Sequence, residues 1–136
     1  MKYIIDTNVI SELKKKQPNE KVSYWFDQLD TKSMYLSSLT IGELRSGAIK
    51  KAKKDKKAGE VLLKWVDSLI IDYEEQIIGV DLATCEEWAQ LLSIDGTNVI
   101  DSLLAAQAIN ANLILVTRNI KHFTKFGVKL LNPFDE

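Results

Sequence analysis

Five short apolar runs, separated by segments with helical periodicity, constrain the fold of this chain more than any other feature of its sequence. The runs lie at 2–5, 34–37, 77–80, 113–116 and 128–131, and each has the length of a buried strand. Strands that alternate with helices predict a parallel sheet whose right-handed crossovers place helices on both faces. We therefore predict an α/β fold, a three-layer α/β/α sandwich around a central parallel sheet of about five strands.

Apolar residues at helical spacing indicate where the helices of this sandwich lie. Three amphipathic stripes are formed by Val22, Trp25, Phe26 and Leu29, by Val61, Leu62, Trp65 and Leu69, and by Leu82, Cys85, Trp88 and Leu92. The segment from Leu103 to Ile109 is apolar on nearly all sides, and we expect that helix to be buried.

Length and composition exclude several classes of protein. The 136 residues fit one domain, which we assign to 1–136. With 18 basic and 19 acidic residues the net charge is −1, so any nucleic-acid surface must be a local patch. The single cysteine excludes an intrachain disulfide and a Cys-based zinc cluster, and it favours a reducing, cytoplasmic location. The N-terminal apolar run is too short for a signal peptide, and no run reaches the roughly 18 residues of a membrane span.

Three acidic residues stand where a strand gives way to a helix. Asp6 follows the first apolar run, Glu43 lies at the start of a helical stretch after the second, and Asp101 opens the helix before the fourth. Such junctions gather on one edge of a parallel sheet. Carboxylates gathered there without matching cations repel one another unless a divalent metal neutralises them. The pattern therefore predicts metal-dependent phosphate chemistry.

Each acid, taken singly, also has an explanation as a helix cap. Residues 40–43 have the spacing of a capping box, with Thr40 as the cap and Glu43 reaching back, and 98–101 repeat that spacing with Asn and Asp. Asp6 is a favoured cap residue. Capping and metal binding are compatible, because a capping contact fixes the rotamer of a ligand.

Polar residues near the acids are candidates for contact with a metal-binding side chain or with substrate. Thr7 follows Asp6 directly. Thr117 and Asn119 end the fourth strand and would bind metal-held water or orient a carboxylate, although a turn explains both equally well. Arg45 and Arg118 would reach a phosphate or merely the surface.

Two lysine runs and one glycine have open interpretations. The runs 14–16 and 50–57 would bind RNA phosphates, although such runs are more often solvated surface. Gly47 stands one turn after Glu43, where a glycine destabilises a helix. Close approach of another backbone, a partner, or packing against the sheet would explain it.

In these residues the chain resembles PIN-domain proteins of the VapC toxin type. The matching segments come in the family's order, at 5–13, 40–47, 99–106, 115–119 and 127–134. The resemblance implies an endoribonuclease, dependent on Mg²⁺ or Mn²⁺, that hydrolyses RNA with a metal-activated water. It implies that Asp6, Glu43 and Asp101 hold the metal. It also implies a cognate antitoxin as partner, with a homodimer or a hetero-oligomer as the assembly.

The resemblance also implies that an antitoxin segment lies on the apolar surface of the early helices, for which the candidates are Ile10, Leu13, Trp25 and Phe26. The chain departs from the family's pattern at Asn119, where a fourth acid often stands, and at His122, where relatives often carry Asp. These departures leave open whether the site holds one metal or two. The alternatives are a nuclease of the same fold that processes RNA or cuts DNA, and a binding module that has lost catalysis.

Overall fold

The sheet has five strands, as the sequence predicts, and all of its neighbouring pairs are parallel. The computed structural model describes residues 1–135. The strands are β1 (Tyr3–Ile5), β2 (Met34–Ser37), β3 (Ile77–Ile78), β4 (Ile114–Val116) and β5 (Leu130–Leu131). Their order is β3-β2-β1-β4-β5. The strands β3 and β5 are shorter than predicted because each lies at an edge and pairs on one side only.

Helices cover both faces of this sheet, which confirms the three-layer α/β/α prediction. They are α1 (Thr7–Lys14), α2 (Glu20–Asp27), α3 (Ser38–Lys54), α4 (Lys56–Asp72), α5 (Leu82–Ile94) and α6 (Val99–Asn110). Successive side chains of a strand point to opposite faces. Accordingly, Tyr3 and Ile5 pack with α1 to α4, whereas Ile4 packs with α5 and α6. No helix within residues 1–135 is long and apolar enough to cross a membrane.

The helix α6 is buried, as its uniformly apolar sequence predicts. Its inner residues Leu104, Ala105, Ala106 and Ala108 are at most 3% exposed. It also carries a buried polar anchor that the sequence does not reveal. Gln107 Oε1 accepts a 2.6 Å hydrogen bond from Ser37 Oγ, and Gln107 Nε2 donates to the carbonyls of Ile78 and Gly79. The anchor ties α6 to the ends of β2 and β3.

Two of the predicted apolar stripes are wrong at their first residue. Val61 is 56% exposed and Leu82 is 76% exposed. Leu82 is the first residue of α5, and the inner face of that helix runs through Thr84 and Leu91 instead. In α4 the buried residues are Gly59, Val66 and Leu69. Each helix is therefore rotated relative to the predicted stripe.

Close backbone approach occurs at a different glycine from the one that the sequence suggests. Among residues 1–135, no atom lies within 4 Å of a Cβ added at Gly47, so neither another backbone of this part of the chain nor the sheet approaches it. At Gly59 a Cβ would overlap Cα, Cβ and N of Ala52. Gly59 therefore allows α4 to fold back tightly against α3.

Candidate active site

The strand order fixes where a ligand site is expected in this fold. In an open parallel sheet, ligands bind beyond the carboxyl ends of the strands, where the order reverses. The order β3-β2-β1-β4-β5 reverses between β1 and β4. Asp6 directly follows β1 and Thr117 directly follows β4, and the Asp6 N–H donates to the Val116 carbonyl at 2.9 Å.

Asp6 is buried at this junction and is held by three side-chain or main-chain donors. It is the N-cap of α1, and its Oδ1 accepts a 2.7 Å hydrogen bond from the Thr7 N–H. Its Oδ2 accepts from Thr117 Oγ1 at 2.8 Å and from Asn8 Nδ2 at 3.2 Å. The predicted capping role is confirmed, and so is the prediction that Thr117 orients a carboxylate.

The electrostatics of Asp6 show an excess of negative charge. Burial raises the pKa of its carboxyl above the ordinary value of 3.8, and the charges of Asp101 and Glu43 raise the pKa further. The hydrogen bonds from Thr117 and Thr7 act in the opposite direction, because they stabilise the ionised form. The three acids are therefore close enough to interact.

Glu43 reaches the site from α3 and is oriented by α1. Its Oε1 accepts a 2.7 Å hydrogen bond from Thr7 Oγ1, while the carboxylate itself is exposed. The predicted capping box is wrong. The helix begins at Ser38, because Ser37 caps it by accepting from the Leu39 N–H at 3.0 Å. Glu43 is therefore in the second turn of α3 and is free of any capping role.

Asp101 lies in the first turn of α6. Asn98 caps that helix, as predicted, by accepting from the Asp101 N–H at 3.3 Å. Asn98 Nδ2 donates to Asp101 Oδ2 at 2.8 Å, and His122 Nδ1 lies 3.3 Å from the same oxygen. His122, one of the two positions at which the chain departs from the pattern it resembles, thus contacts one of the three acids.

The donor set has the chemistry of a site for a hard divalent cation. It consists of carboxylate oxygens, which Mg²⁺ and Mn²⁺ prefer, and the charges of Asp101 and Glu43 add to the effect of burial in raising the pKa of Asp6. Within the described part of the chain, however, no three Asp, Glu, His or Cys side chains are already arranged around one ion position. Each carboxylate is held by its own hydroxyl or amide partners. Each carboxylate nevertheless keeps acceptor positions that these partners do not use, and a cation would bind there.

Of the remaining predicted contact residues, Asn119 joins the site through its backbone N–H, whereas the side chains of Arg118 and Arg45 make their contacts elsewhere. The Asn119 N–H donates to Thr117 Oγ1 at 3.0 Å, whereas the Asn119 side chain is exposed. The Arg118 guanidinium stacks 4.5 Å from the Phe134 ring centroid. Arg45 is engaged elsewhere, since its Nη2 pairs with Asp67 Oδ1 at 2.7 Å.

Asn8 is the residue that sequence reasoning missed. Its Nδ2 donates to Asp6 Oδ2, and its Oδ1 accepts from the Arg118 N–H at 3.1 Å. It therefore clamps the acid at the end of β1 to the loop after β4. The available signal was the polar run Asp-Thr-Asn directly after an apolar strand.

Comparisons with known proteins agree with this geometry. The PIN domain family model matches residues 3–129. Toxin FitB of Neisseria gonorrhoeae is 32% identical over 139 residues, covering 98% of this chain and 99% of that protein. VapC ribonuclease Y4jK of Sinorhizobium fredii is 31% identical and covers 97% of both chains. The crystal structure of FitAcB from Neisseria gonorrhoeae matches with a TM-score of 0.91 and 31% identity, covering 98% of this chain and 99% of that chain.

Proposed function

The chain belongs to the PIN domain family, and from that premise we propose that it is a metal-dependent endoribonuclease and the toxin of a toxin–antitoxin pair. Its relatives include a toxin and a ribonuclease. One observation carries the proposal: Thr7 donates to Asp6 through its N–H and to Glu43 through its hydroxyl, at 2.7 Å each, so two carboxylates lie together at the carboxyl edge of the sheet, where the charge of Asp101 also acts on Asp6. A phosphodiesterase needs such an excess of negative charge to hold a cation against its anionic substrate.

The proposed cation is Mg²⁺, with Mn²⁺ as a substitute. Asp6 and Asp101 are its direct ligands, and Glu43 is either a third ligand or the group that orients the attacking water. When bound, such an ion neutralises charge on the phosphate and lowers the pKa of water. Protons and cations compete for Asp6, so its raised pKa weakens cation binding as the pH falls.

The residues around the acids act by orienting them. Thr117 and Asn8 both donate to Asp6 Oδ2, which fixes the rotamer of the carboxylate and favours its ionised form. Thr7 Oγ1 donates to Glu43 Oε1 at 2.7 Å and so orients this exposed side chain. Partners of this kind commonly change metal affinity or activity by about 10- to 100-fold when they are removed.

An antitoxin is the proposed protein partner, in a homodimeric or hetero-oligomeric assembly. A groove of about 620 Å³ lies between α1, α2 and α4, and Ile10, Leu13 and Phe26 are among its lining residues. Trp25, the fourth candidate, instead packs edge-to-face against Tyr3 at 5.5 Å. An amphipathic segment of an antitoxin would cover this apolar surface. We propose the cytoplasm as the location, because the substrate RNA is there.

Cleavage by partner-free protein tests the proposal. Purified protein is incubated with labelled structured RNAs and DNA in Mg²⁺, in Mn²⁺ and in EDTA, beside Asp6→Asn and the surface control Asp27→Asn. Asn keeps the acceptor oxygen for the Thr7 N–H, so Asp6→Asn should fold. We expect RNA cleavage that requires both the metal and Asp6, with Asp27→Asn at the wild-type rate.

Three results would overturn the proposal. Wild-type rates in folded Asp6→Asn would remove Asp6 from the chemistry. No cleavage, together with no heat of Mg²⁺ or Mn²⁺ binding in calorimetry, would favour the inactive binding module. Cleavage of DNA in preference to RNA would favour the DNA-cutting alternative.

A further inference from the structure

A second groove opens directly beside the acids, between α1, α3 and α4. It has a volume of about 340 Å³. Thr7, Ser11 and Lys14 line it from α1, and Glu43, Gly47 and Lys51 are among the residues that line it from α3. Both sets recur at three- or four-residue intervals, so each lies on one helical face. The groove therefore starts at Thr7 and Glu43 and runs along both helices away from the acids.

We propose that this groove binds the single-stranded RNA nucleotide next to the cleaved phosphodiester, with its base between the helices and its phosphates at Lys14 and Lys51. The inference rests on the proposed endoribonuclease function, and it adds the path along which the RNA strand leaves the acids. Glu43 belongs both to the groove and to the acid site. A strand whose phosphate lies at the acids consequently enters the groove without a gap.

The walls of the groove have the chemistry that a base requires. Leu44 and Ala48 are buried in its floor, and Leu62 and Trp65 line it from α4. Lys14 Nζ lies 5.9 Å from the Trp65 ring centroid, so an aromatic surface and a cation stand together. Bases stack on aromatic side chains without regard to sequence, and adjacent cations bind the phosphates between them.

The two lysines supply charge complementarity to a phosphate backbone. Among residues 1–135, Lys14 and Lys51 take part in none of the salt bridges, whereas Lys15 pairs with Glu12. Lys14 and Lys51 stand on α1 and α3, on opposite sides of the groove. Cations placed in this way neutralise phosphates and release counterions. Lys14 and Trp65 also line the larger groove beside α2, so Lys51 is the cation that distinguishes this groove, and its charge favours RNA over an apolar protein segment.

Gly47 explains how a ligand fits between the helices. No atom lies within 4 Å of the Cβ position at this residue, although a glycine inside a helix is unfavourable relative to alanine. Any longer side chain would project into the groove. An occupant that contacts the α3 backbone accounts for the glycine, whereas packing within the chain does not.

Binding to a protein that cannot cleave tests the groove directly. The Asp6→Asn protein is titrated with a short fluorescein-labelled single-stranded RNA of mixed sequence, and anisotropy gives Kd. Adding Gly47→Leu should fill the groove and weaken binding about tenfold, the effect of losing one stacked base. Gly47→Ala should weaken it less. Thermal unfolding should show both variants at least as stable as the parent, because both improve helix propensity.

Adjacent lysines provide a matched pair. Lys51 lines the proposed groove, whereas Lys50 lines a neighbouring depression that shares Glu43 and Gly47 with the groove but does not include Lys51. Lys51→Glu should weaken binding more than Lys50→Glu. It should also reduce the slope of log Kd against log salt by about one, the value for one lost phosphate contact.

The outcomes distinguish a failure of the groove assignment from a failure of the proposed function. If wild-type protein cleaves RNA with metal, but Gly47→Leu and Lys51→Glu change neither RNA binding in the Asp6→Asn protein nor cleavage in the otherwise wild-type protein, the groove assignment is overturned and the function stands. If no protein cleaves RNA but binding depends on Gly47 and Lys51 as described, the function fails and the groove stands. Three further results would also overturn the groove assignment. They are equal losses of RNA affinity in Lys50→Glu and Lys51→Glu, no RNA binding by Asp6→Asn, and variants that lose affinity for a protein partner but not for RNA.

Discussion

Thr117 Oγ1 donates a 2.8 Å hydrogen bond to Asp6 Oδ2, and so joins two residues that are 111 positions apart in the chain. The bond crosses the point where the strand order reverses between β1 and β4. It fixes a buried carboxylate that would otherwise be rotated or protonated, since burial raises its pKa. The orientation of Asp6 therefore depends on the pairing of β1 with β4 as well as on α1.

Replacing Thr117 with Val removes this hydrogen bond with little change in shape. Because the bond lowers the pKa of Asp6, we expect that pKa to rise and the acidic limb of the pH–rate profile to move to higher pH. We also expect cleavage to fall by about 10- to 100-fold at neutral pH. Thr117→Ser keeps the hydroxyl and should retain most activity, and an unmoved pH profile in Thr117→Val would contradict the assigned role.

Asp6 should make the metal-free protein less stable as the pH rises. Its folded-state pKa lies above the ordinary value of 3.8, so between the two pKa values the folded state binds more protons than the unfolded state. The free energy of unfolding then decreases with increasing pH across that interval. In EDTA at neutral pH, Asp6→Asn should have a higher Tm than wild type, and the difference should vanish below the ordinary pKa. Adding Mg²⁺ should raise the Tm of wild type alone.

Two Gly→Ala substitutions should change stability in opposite directions. Gly59→Ala forces a Cβ into the backbone of Ala52, and we expect a loss of about 1–3 kcal/mol in the free energy of unfolding. Gly47→Ala meets open space and should gain about 0.4–1 kcal/mol. Urea denaturation of both variants measures the difference. A stable Gly59→Ala would mean that α3 and α4 are not in close contact there.

Gln107→Glu should destabilise the layer that carries Asp101. The substitution would set a carboxylate oxygen against the carbonyls of Ile78 and Gly79, which now accept from Gln107 Nε2 at 3.1 and 3.0 Å. An unpaired buried charge costs about 3–5 kcal/mol, and protonation at low pH should restore part of the loss. Gln107→Met, which carries no charge, should be less damaging. Chemical denaturation at two pH values tests this.

The layers and the positions of the acids are predictable from sequence because they depend on local patterns. The five apolar runs and the acids Asp6 and Asp101 at their junctions lie where expected. Choices between competing local signals are not predictable in this way. Ser37 and Thr40 are both good caps and both are buried, at 0% and 1% exposure, and the structure uses Ser37, whose Oγ accepts from the Leu39 N–H.

Side-chain partners distant in sequence are the other part that the pattern does not contain. Arg45 pairs with Asp67 on α4 and not with the site, because the rotation of one helix against the next selects its partner. The same rotation exposes Val61 and makes Gly59 the residue at which α4 contacts Ala52 of α3. The contact of His122 with Asp101 likewise depends on how the segment after β4 folds back.

The clamp formed by Asn8 has a consequence for the timing of activity during protein synthesis. Asn8 and Asp6 are among the first residues to leave the ribosome, whereas Thr117 and the Arg118 N–H, which complete the clamp, leave near the end. A nascent chain that stops before β4 possesses all three acids but cannot fix Asp6 beside them. The oriented Asp6 that the proposed function needs is therefore acquired only once the chain has been synthesised past Arg118.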